Sequence, residues 1–580
     1  LSLGLALPAK ADPPAHPIQL APQVSYEQQR IDRVLAEQKL IADTAPQGKR
    51  ITFVRIVRDD VFVRDEIWPL WFNWFHGLTR ESIVRRELLF AEGNAYEDAR
   101  IEETMRNLRS MGIFALVRIV AVQGKTPDEV GVLVHTRDLW SLRLETDFSA
   151  TSQVLNSLLI RGTERNVFGH NQAVGVDFNL IPQSYQLAQD YAARRLFQSS
   201  VAFKERAGLV FNRFSNHLEG GLGSISVGQP YYRLSQRFAW DATVLQDQRI
   251  VRNATVGQIA PYPTPKPGDD PDTVYAKQAY WARARRARLL GSWRRGELVK
   301  HTLSVGWDYR SLRAHPITES QLPDSLYSDF VRDLLPARRT DSGPTLSYEM
   351  FVARWVTFVN LATYGQSENV RVGPALALST RVPIDALGST YNAWVIAGDS
   401  SLVLAPRGFL VDLRAGGNMR LQQQRWIDRK ATFQVRAATP VFSIFRFVVR
   451  SYLELRRSDT QRTYVTLGGD NALRGFPSQY FHGSGADRFL ANFELRTLPI
   501  EWEAVHVGAV LFYDVGSVFY KPSAMQLSHG VGLGIRLLFP QFNRTPFSFD
   551  AGTSFNPAFP VVPTITAGQV VPITAAEDVE

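Results

Sequence analysis

Leu467-Gly-Gly-Asp-Asn-Ala-Leu-Arg-Gly-Phe476 is a glycine-rich turn that presents one arginine, Arg474, shortly before the run Phe489-Leu-Ala-Asn-Phe-Glu-Leu-Arg-Thr-Leu498. In that run Phe489, Ala491, Phe493 and Leu495 fall on one face, and Arg488, Asn492, Glu494 and Arg496 on the other. A period of two marks a strand between an apolar and a polar environment. The same alternation recurs at Val174–Leu180, Leu303–Tyr309, Phe409–Ala415, Phe445–Leu455, Val505–Tyr513, Val531–Leu537 and Phe547–Phe555. Apolar faces turned outward and charged faces turned inward, repeated this often, are the signature of a transmembrane antiparallel β-barrel, so the chain is read as mainly β.

The chain's 580 residues exceed one ordinary soluble domain, and a large closed barrel is one way past that limit. Its 65 basic residues are largely balanced by 56 acidic ones, so the net charge of +9 describes solvated loops and a charged lumen rather than a nucleic-acid surface. With no cysteine there is no disulfide framework, thiolate metal site or cysteine nucleophile. The ten histidines show no metal-ligand spacing, and neither G-x-S-x-G nor a phosphate-binding loop occurs, so no enzyme, cofactor or metal is expected. No run of about 18 apolar residues could form a spanning helix, and only helices and closed barrels satisfy every backbone polar group in lipid.

Leu1–Ala11 has the look of a secretory signal's apolar region ending in an Ala9-x-Ala11 cleavage site. Residues 12–48 form a linker, Pro-rich up to Ala21, with a charged helix from Tyr26 to about Ile41 behind Ser25. Residues 49–137 read as a compact α+β module. Strand Ile51–Val57, helix Ser82–Leu89, turn Glu92–Tyr96 and helix Ala99–Met111 lead to a hairpin of Phe114–Val122 and Glu129–Thr136. Two helices would then cover one face of a three-stranded sheet. An insert, Trp68-Pro-Leu-Trp-Phe-Asn-Trp-Phe-His-Gly77, places Trp68, Trp71, Phe72 and Phe75 at helical spacing. Those rings suit either a lengthened first helix packed on the module's own sheet or a lipid interface.

The barrel is assigned to residues 138–555. The polar, Pro-bearing stretches Arg252–Asp272 and Ser311–Pro344 read as long loops at one rim. Arg283, Arg285, Arg286, Arg288, Arg294 and Arg295 are read as two strands and their turn, lining the lumen or rim or meeting anionic lipopolysaccharide. The tail 556–580 carries Pro557, Pro560, Pro563 and Pro572 and is read as lying outside the sheet.

Alternation gives the Arg474 loop its partners. With Val505, Val507, Ala509, Leu511 and Tyr513 facing lipid, His506, Phe512 and Asp514 point inward, and beyond them Gly532, Gly534 and Arg536 do the same. The glycines leave space close to the wall. A loop folding back into the lumen would bring Arg474 to Asp514, with Glu494 as the second partner, in bidentate charge-assisted bonds.

These residues also resemble known motifs. Arg86-Glu-Leu-Leu-Phe-Ala-Glu-Gly-Asn-Ala-Tyr96 and Arg106-Asn-Leu-Arg-Ser-Met-Gly-Ile-Phe114 resemble a POTRA domain, the periplasmic module of the BamA/TamA outer-membrane superfamily. Leu473-Arg-Gly-Phe476 resembles that superfamily's [VL]-R-G-[FY] loop, and Asn492–Arg496 the strand after it. Phe512-Tyr-Asp-Val-Gly516 resembles its F-x-D-x-G strand, Gly530–Arg536 and Arg544–Asp550 its last two strands, and Asn166-Val-Phe-Gly169 its N-[LF]-x-G turn. The resemblance implies a barrel of about 16 strands behind one periplasmic POTRA domain. It also implies insertion or translocation of client proteins at the bacterial outer membrane, without catalysis. The partners implied are unfolded clients, the bilayer and lipopolysaccharide. A single module, where the general insertase and the TamA-type factor have several, leaves accessory lipoproteins open. The competing reading is a passive porin in which Arg474 holds a constriction loop.

Overall fold

The computed structural model describes residues 26–567, apart from 64–67, 151–154, 182, 253, 256–257, 264–274, 461–464, 466, 469–471, 477–484, 503–504 and 556–561. The expected signal segment therefore lies outside the described residues.

The chain opens with α1 (Tyr26–Glu37), followed by β1 (Arg50–Asp59), α2 (Glu81–Glu87), α3 (Asp98–Ser110), β2 (Phe114–Gln123) and β3 (Glu129–Asp138). β3 sits centrally, parallel to β1 and antiparallel to β2. Alternate residues of the sheet, including Ile51, Val117, Ile119, Val130, Val132 and Val134, meet Val84 of α2 and Ile101 and Leu108 of α3 in one buried core. The other face is covered by α1, whose Ile31 and Val34 pack on Val122 and Leu133. The thin apolar stripe of α1 is enough for one sheet face. Both sheet edges are partly occupied by the chain itself. Asp43 N donates to Ala121 O and Gln123 N to Ile41 O on β2, and Ile51 N donates to Asn94 O on β1.

From Leu142 onward one antiparallel sheet of twenty strands runs full circle, with the short Ile500–Glu501 continuing Asp487–Thr497 across a break. Along each strand the alternation holds. Leu303, Val305 and Trp307 are exposed on the outer face while Thr302 and Asp308 are buried inside. The last strand, Val562–Ala567, lies beside the first, Leu142–Ala150. The two are neighbours in the closed sheet, and the last strand, six residues long, is the shortest of the twenty.

Four expectations change. The strand count is twenty rather than the about 16 that the resemblance implies; tight turns, such as that joining Leu410–Gln422 to Arg425–Ala438, leave residues for the additional strands. The tail is not outside the sheet: Val562–Ala567 pairs with Phe547–Ser554, with Pro563 opposite Ala551. A proline lacks one ladder donor, and the strand at the seam is where that donor is least missed. The arginine run is one 17-residue strand, Ala279–Arg295, rather than two strands and a turn. Arg286 and Arg288 point inward to Asp308 and Asp241, while Arg283 and Arg285 share the outer face with Leu289 and Trp293 and bond Gln248 and Gln246. The loop read at Ser311–Pro344 is also shorter, since Val299–Pro316 and Arg339–Val352 are strands; the loop between them carries the helix Asp324–Asp333.

The module sits at the end where the first barrel strand begins. Its contacts go to turns at that end: Arg195 Nε donates to Glu87 Oε1 at 2.6 Å, Asn107 Nδ2 to Tyr232 O at 2.9 Å, and the Arg106 guanidinium lies 4.2 Å from the Trp355 ring.

Candidate functional site

The loop 472–476 enters the lumen from the end opposite the module. Leu473 and Phe476 bury themselves with Leu467 and Leu490 against the wall, and Arg474 is wholly enclosed. Its guanidinium makes a fork with Asp514: Nε donates to Oδ2 at 2.7 Å and Nη2 to Oδ1 at 2.9 Å. The backbone N of Arg474 donates to the same carboxylate at 3.1 Å. Nη1 reaches Glu494 Oε1 at 2.7 Å and Asp550 Oδ2 at 3.4 Å. Beneath the fork lies the Phe512 ring, 3.7 Å from the guanidinium carbon. Planarity suits arginine to this double duty, with carboxylates at its edge and an aromatic face below.

Burial opposes the charge on Arg474, but Glu494 and Asp514 outweigh it and hold the guanidinium above its ordinary range. The three carboxylates are balanced by two further arginines. Arg496 Nε donates to Glu494 Oε2 at 2.7 Å and Arg536 Nη1 to Asp550 Oδ1 at 2.7 Å. Asn492 ties loop to wall, donating to Ala472 O at 2.6 Å and to Asp514 Oδ1 at 2.8 Å. Buried charge persists when it is paired, and each carboxylate of this group is bonded to at least one guanidinium.

Glycines give the loop its seat. Gly475 has φ +89, a left-handed conformation, and a Cβ there would stand 2.8 Å from the Thr553 backbone. A Cβ on Gly530 would strike the carbonyl oxygen of Arg474, and one on Gly532 would meet the Phe512 ring at 2.5 Å. A Cβ on Gly516 would meet Leu467 at 2.7 Å. Gly534 leaves room for the Asp550 carboxylate.

Leu473, Arg474, Gly475, Phe476, Glu494, Phe512, Asp514, Gly516, Gly532, Gly534 and Arg536 are thus brought together. Asn166 and Gly169 are not; they lie at the module end, where Asn166 Nδ2 donates to Thr79 Oγ1 at 2.8 Å and Asn171 N to Asn166 Oδ1 at 2.8 Å. Asp550 and Asn492 are further members that the reading of the sequence left without a role. Alternation in Phe547–Ser554, with Phe549 exposed and Ser548 buried, would have put Asp550 inside.

No family model matches the chain. No curated protein matches it either. Among solved structures, BamA from Haemophilus ducreyi lacking POTRA domains 1–3 aligns over 93% of this chain and 92% of its own, at 12% identity and a TM-score of 0.34. CdiB from Acinetobacter baumannii aligns over 90% and 73%, at 11% identity and 0.42. CdiB from Escherichia coli aligns over 89% and 74%, at 14% identity and 0.41.

A second insertion enters from the module end. Trp355–Val359 and Ser367–Arg371 form a hairpin within the connection between two barrel strands. Phe358, Leu361 and Val370 bury against wall residues Val403, Leu410, Ala438 and Val448. Glu368 fixes its tip, accepting from the backbone N of Leu361, Ala362 and Thr363 at 3.0, 2.9 and 2.9 Å and from Thr363 Oγ1 at 2.8 Å. Arg544 Nε donates to Gln366 Oε1 at 2.9 Å, and Ser367 Oγ donates to Glu27 Oε2 of α1 at 2.9 Å. The sequence signal was present in the alternating Trp355-Val-Thr-Phe-Val359 and the turn glycine Gly365. That signal marks a pair of strands but not their place in the lumen, and short connections are the rule at one end of such a barrel.

Proposed function

We propose that the protein is an outer-membrane barrel of the BamA/TamA type that assists insertion or translocation of client proteins, with its α+β module, read as a POTRA domain, in the periplasm. The observation that carries this reading is the seam. The sheet closes on its shortest strand, six residues that include Pro563, which lacks one ladder donor, so this junction holds the least backbone bonding for an incoming strand to replace. Exchange at such a short junction is strand addition, in which backbone bonds supply affinity for any client sequence. The module stands at the end of the barrel where such clients would arrive, and the free remainder of its sheet edges offers the same pairing chemistry.

No step in this reading is catalytic; client folding supplies the free energy. The porin alternative is less well supported, because the Arg474 loop and the 355–371 hairpin both occupy the lumen. Outward-facing Arg283 and Arg285, at the loop-bearing rim, suit the phosphates of lipopolysaccharide. Accessory lipoproteins have no assigned surface here. The test is depletion followed by an inventory of outer-membrane and surface proteins. Loss of a defined client set is expected; a change confined to uptake of small solutes would sink the proposal.

A further inference from the structure

The insert between β1 and α2 forms neither a long helix nor a packed cover. Leu70–Phe75 is a short 3-10 turn, and its rings divide into two sets. Trp68 and Phe72 face inward and join Phe62, Trp140 and Phe542. Trp68 and Phe542 lie 5.2 Å apart edge to face, Phe62 and Trp140 5.7 Å apart, and Trp140 and Phe542 5.8 Å apart. Trp140 immediately precedes the first barrel strand, while Phe542 is on the turn joining Ser528–Leu538 to Phe547–Ser554. Trp140 N also donates to Gln541 O at 2.8 Å. The two ends of the barrel therefore meet on this cluster, directly below the seam.

Hydrogen bonds fix the turn from behind. Asn73 Nδ2 donates to Phe62 O at 2.8 Å and Phe62 N to Asn73 Oδ1 at 3.1 Å. The His76 ring is buried, with Nε2 2.9 Å from Asp138 Oδ2 and Nδ1 3.1 Å from Ser141 Oγ. On this rigid base the second set of rings stands outward: Trp74 is 85% exposed, Phe75 68% and Trp71 49%. Large rings held exposed by a well-bonded scaffold mark an interaction surface rather than a loose loop.

The neighbouring turns repeat the display. Phe168 and Phe197 are almost fully exposed, and both hold left-handed backbone, φ 50 and φ 46, which a bulky side chain seldom adopts. Arg80 of the module donates from Nε to Phe168 O at 3.3 Å, and Arg86 from Nη2 to Gln198 Oε1 at 2.8 Å, so guanidinium groups flank the rings. The patch is continuous with the outer face of the first strand, where Leu142 and Leu144 are exposed. Aromatic rings with adjacent arginines at the edge of a lipid-facing band are the composition of a membrane interface.

We infer that the turn 68–76 is a lipid wedge: Trp71, Trp74 and Phe75 enter the bilayer leaflet at the module end, beside the seam. Rings seated there displace lipid next to the junction of the first and last strands. The lipid contact requires only that the barrel lie in a bilayer; its consequence for clients rests on the insertion role proposed above.

The chain has no cysteine, so a single one can be placed and spin-labelled without a background. Full-length Trp74→Cys is reconstituted in vesicles of phosphatidylethanolamine with phosphatidylglycerol, with Ala36→Cys on α1 as the water control and Leu144→Cys as the lipid control. Collision with oxygen at position 74 is expected to exceed that at 36 several-fold, and collision with a water-soluble nickel chelate to fall below it. A label as open to nickel as position 36 overturns the wedge, and so does a label shielded from both reagents, which would mean that protein covers the turn. The triple variant Trp71→Ser, Trp74→Ser, Phe75→Ser is then scored for barrel folding by heat-modifiable gel mobility and for client assembly. Slower assembly by a folded barrel is expected. Lipid contact at 74 with unchanged assembly retains the wedge as a membrane seat and counts against its part in insertion alone.

Discussion

The two insertions into the lumen are held by opposite physics. The Arg474 loop is fixed by charge: one guanidinium, three carboxylates and two balancing arginines in a space cleared by glycines. The 355–371 hairpin is fixed mainly by apolar burial, with Glu368 tying its own turn and only a few polar contacts to the wall. A buried ion network is geometrically strict and fails abruptly when one member is lost; an apolar contact loses free energy in proportion to the area removed and tolerates small shifts. The difference suggests a lumen with one seat that is either locked or open, and another that can yield gradually.

The comparison breaks most sharply at Arg474. Arg474→Ala leaves Asp514 without its main cation, Asp550 with Arg536, and Glu494 with Arg496 and, at 3.9 Å, Arg536. Breaking a buried pair this way costs on the order of 3–5 kcal/mol. The loop is expected to leave the wall and become open to limited proteolysis around 467–476, while the barrel keeps its heat-modifiable mobility. Arg474→Lys should recover only a fraction, since a point charge cannot make the fork with Asp514 or lie flat on Phe512. A loop as protected as the wild type in the alanine variant would show that apolar burial of Leu473 and Phe476, with the glycine seat, holds it.

Phe358→Ala tests the apolar seat. Removing a buried phenylalanine costs about 3 kcal/mol or more, and the expected readout is faster hydrogen exchange across 355–371 with the Arg474 loop unchanged. If both insertions loosen together, they are one coupled unit and the contrast between them is wrong.

How far each seat was legible in the sequence follows from the same physics. Glu494, Phe512, Asp514 and Arg536 could be placed inside from alternation, because a period of two leaves each residue only two choices of face. That Arg474 crosses from a loop to meet them could be proposed because a lone arginine between glycines needs acidic company if it is buried. The hairpin left no such trace, since its apolar residues look like any strand and nothing local says that the strand lies within the lumen rather than in its wall. The strand total and the pairing of Val562–Ala567 are long-range matters: they depend on where the sheet closes, and local pattern carries no information about closure.

Gly530→Ala separates shape from charge at the charged seat. The added methyl would meet the carbonyl oxygen of Arg474 while every ionisable group remains. Overpacking of this kind costs about 1–3 kcal/mol. The expected result is a loop partly released, with protease sensitivity between wild type and Arg474→Ala, and no change in the 355–371 hairpin.

The smallest effect is expected at Glu368→Gln. The amide keeps one acceptor for the backbone N–H groups of Leu361, Ala362 and Thr363 but loses the negative charge that strengthens those bonds. Bonds to a charged group exceed neutral ones by about 1 kcal/mol, so the hairpin tip should exchange its amides modestly faster while Phe358 and Val370 stay buried. Hydrogen exchange resolved to 360–366 against 355–359 reads this directly. Loss of protection along the entire hairpin would mean that the turn, and not apolar burial, is what holds the second seat.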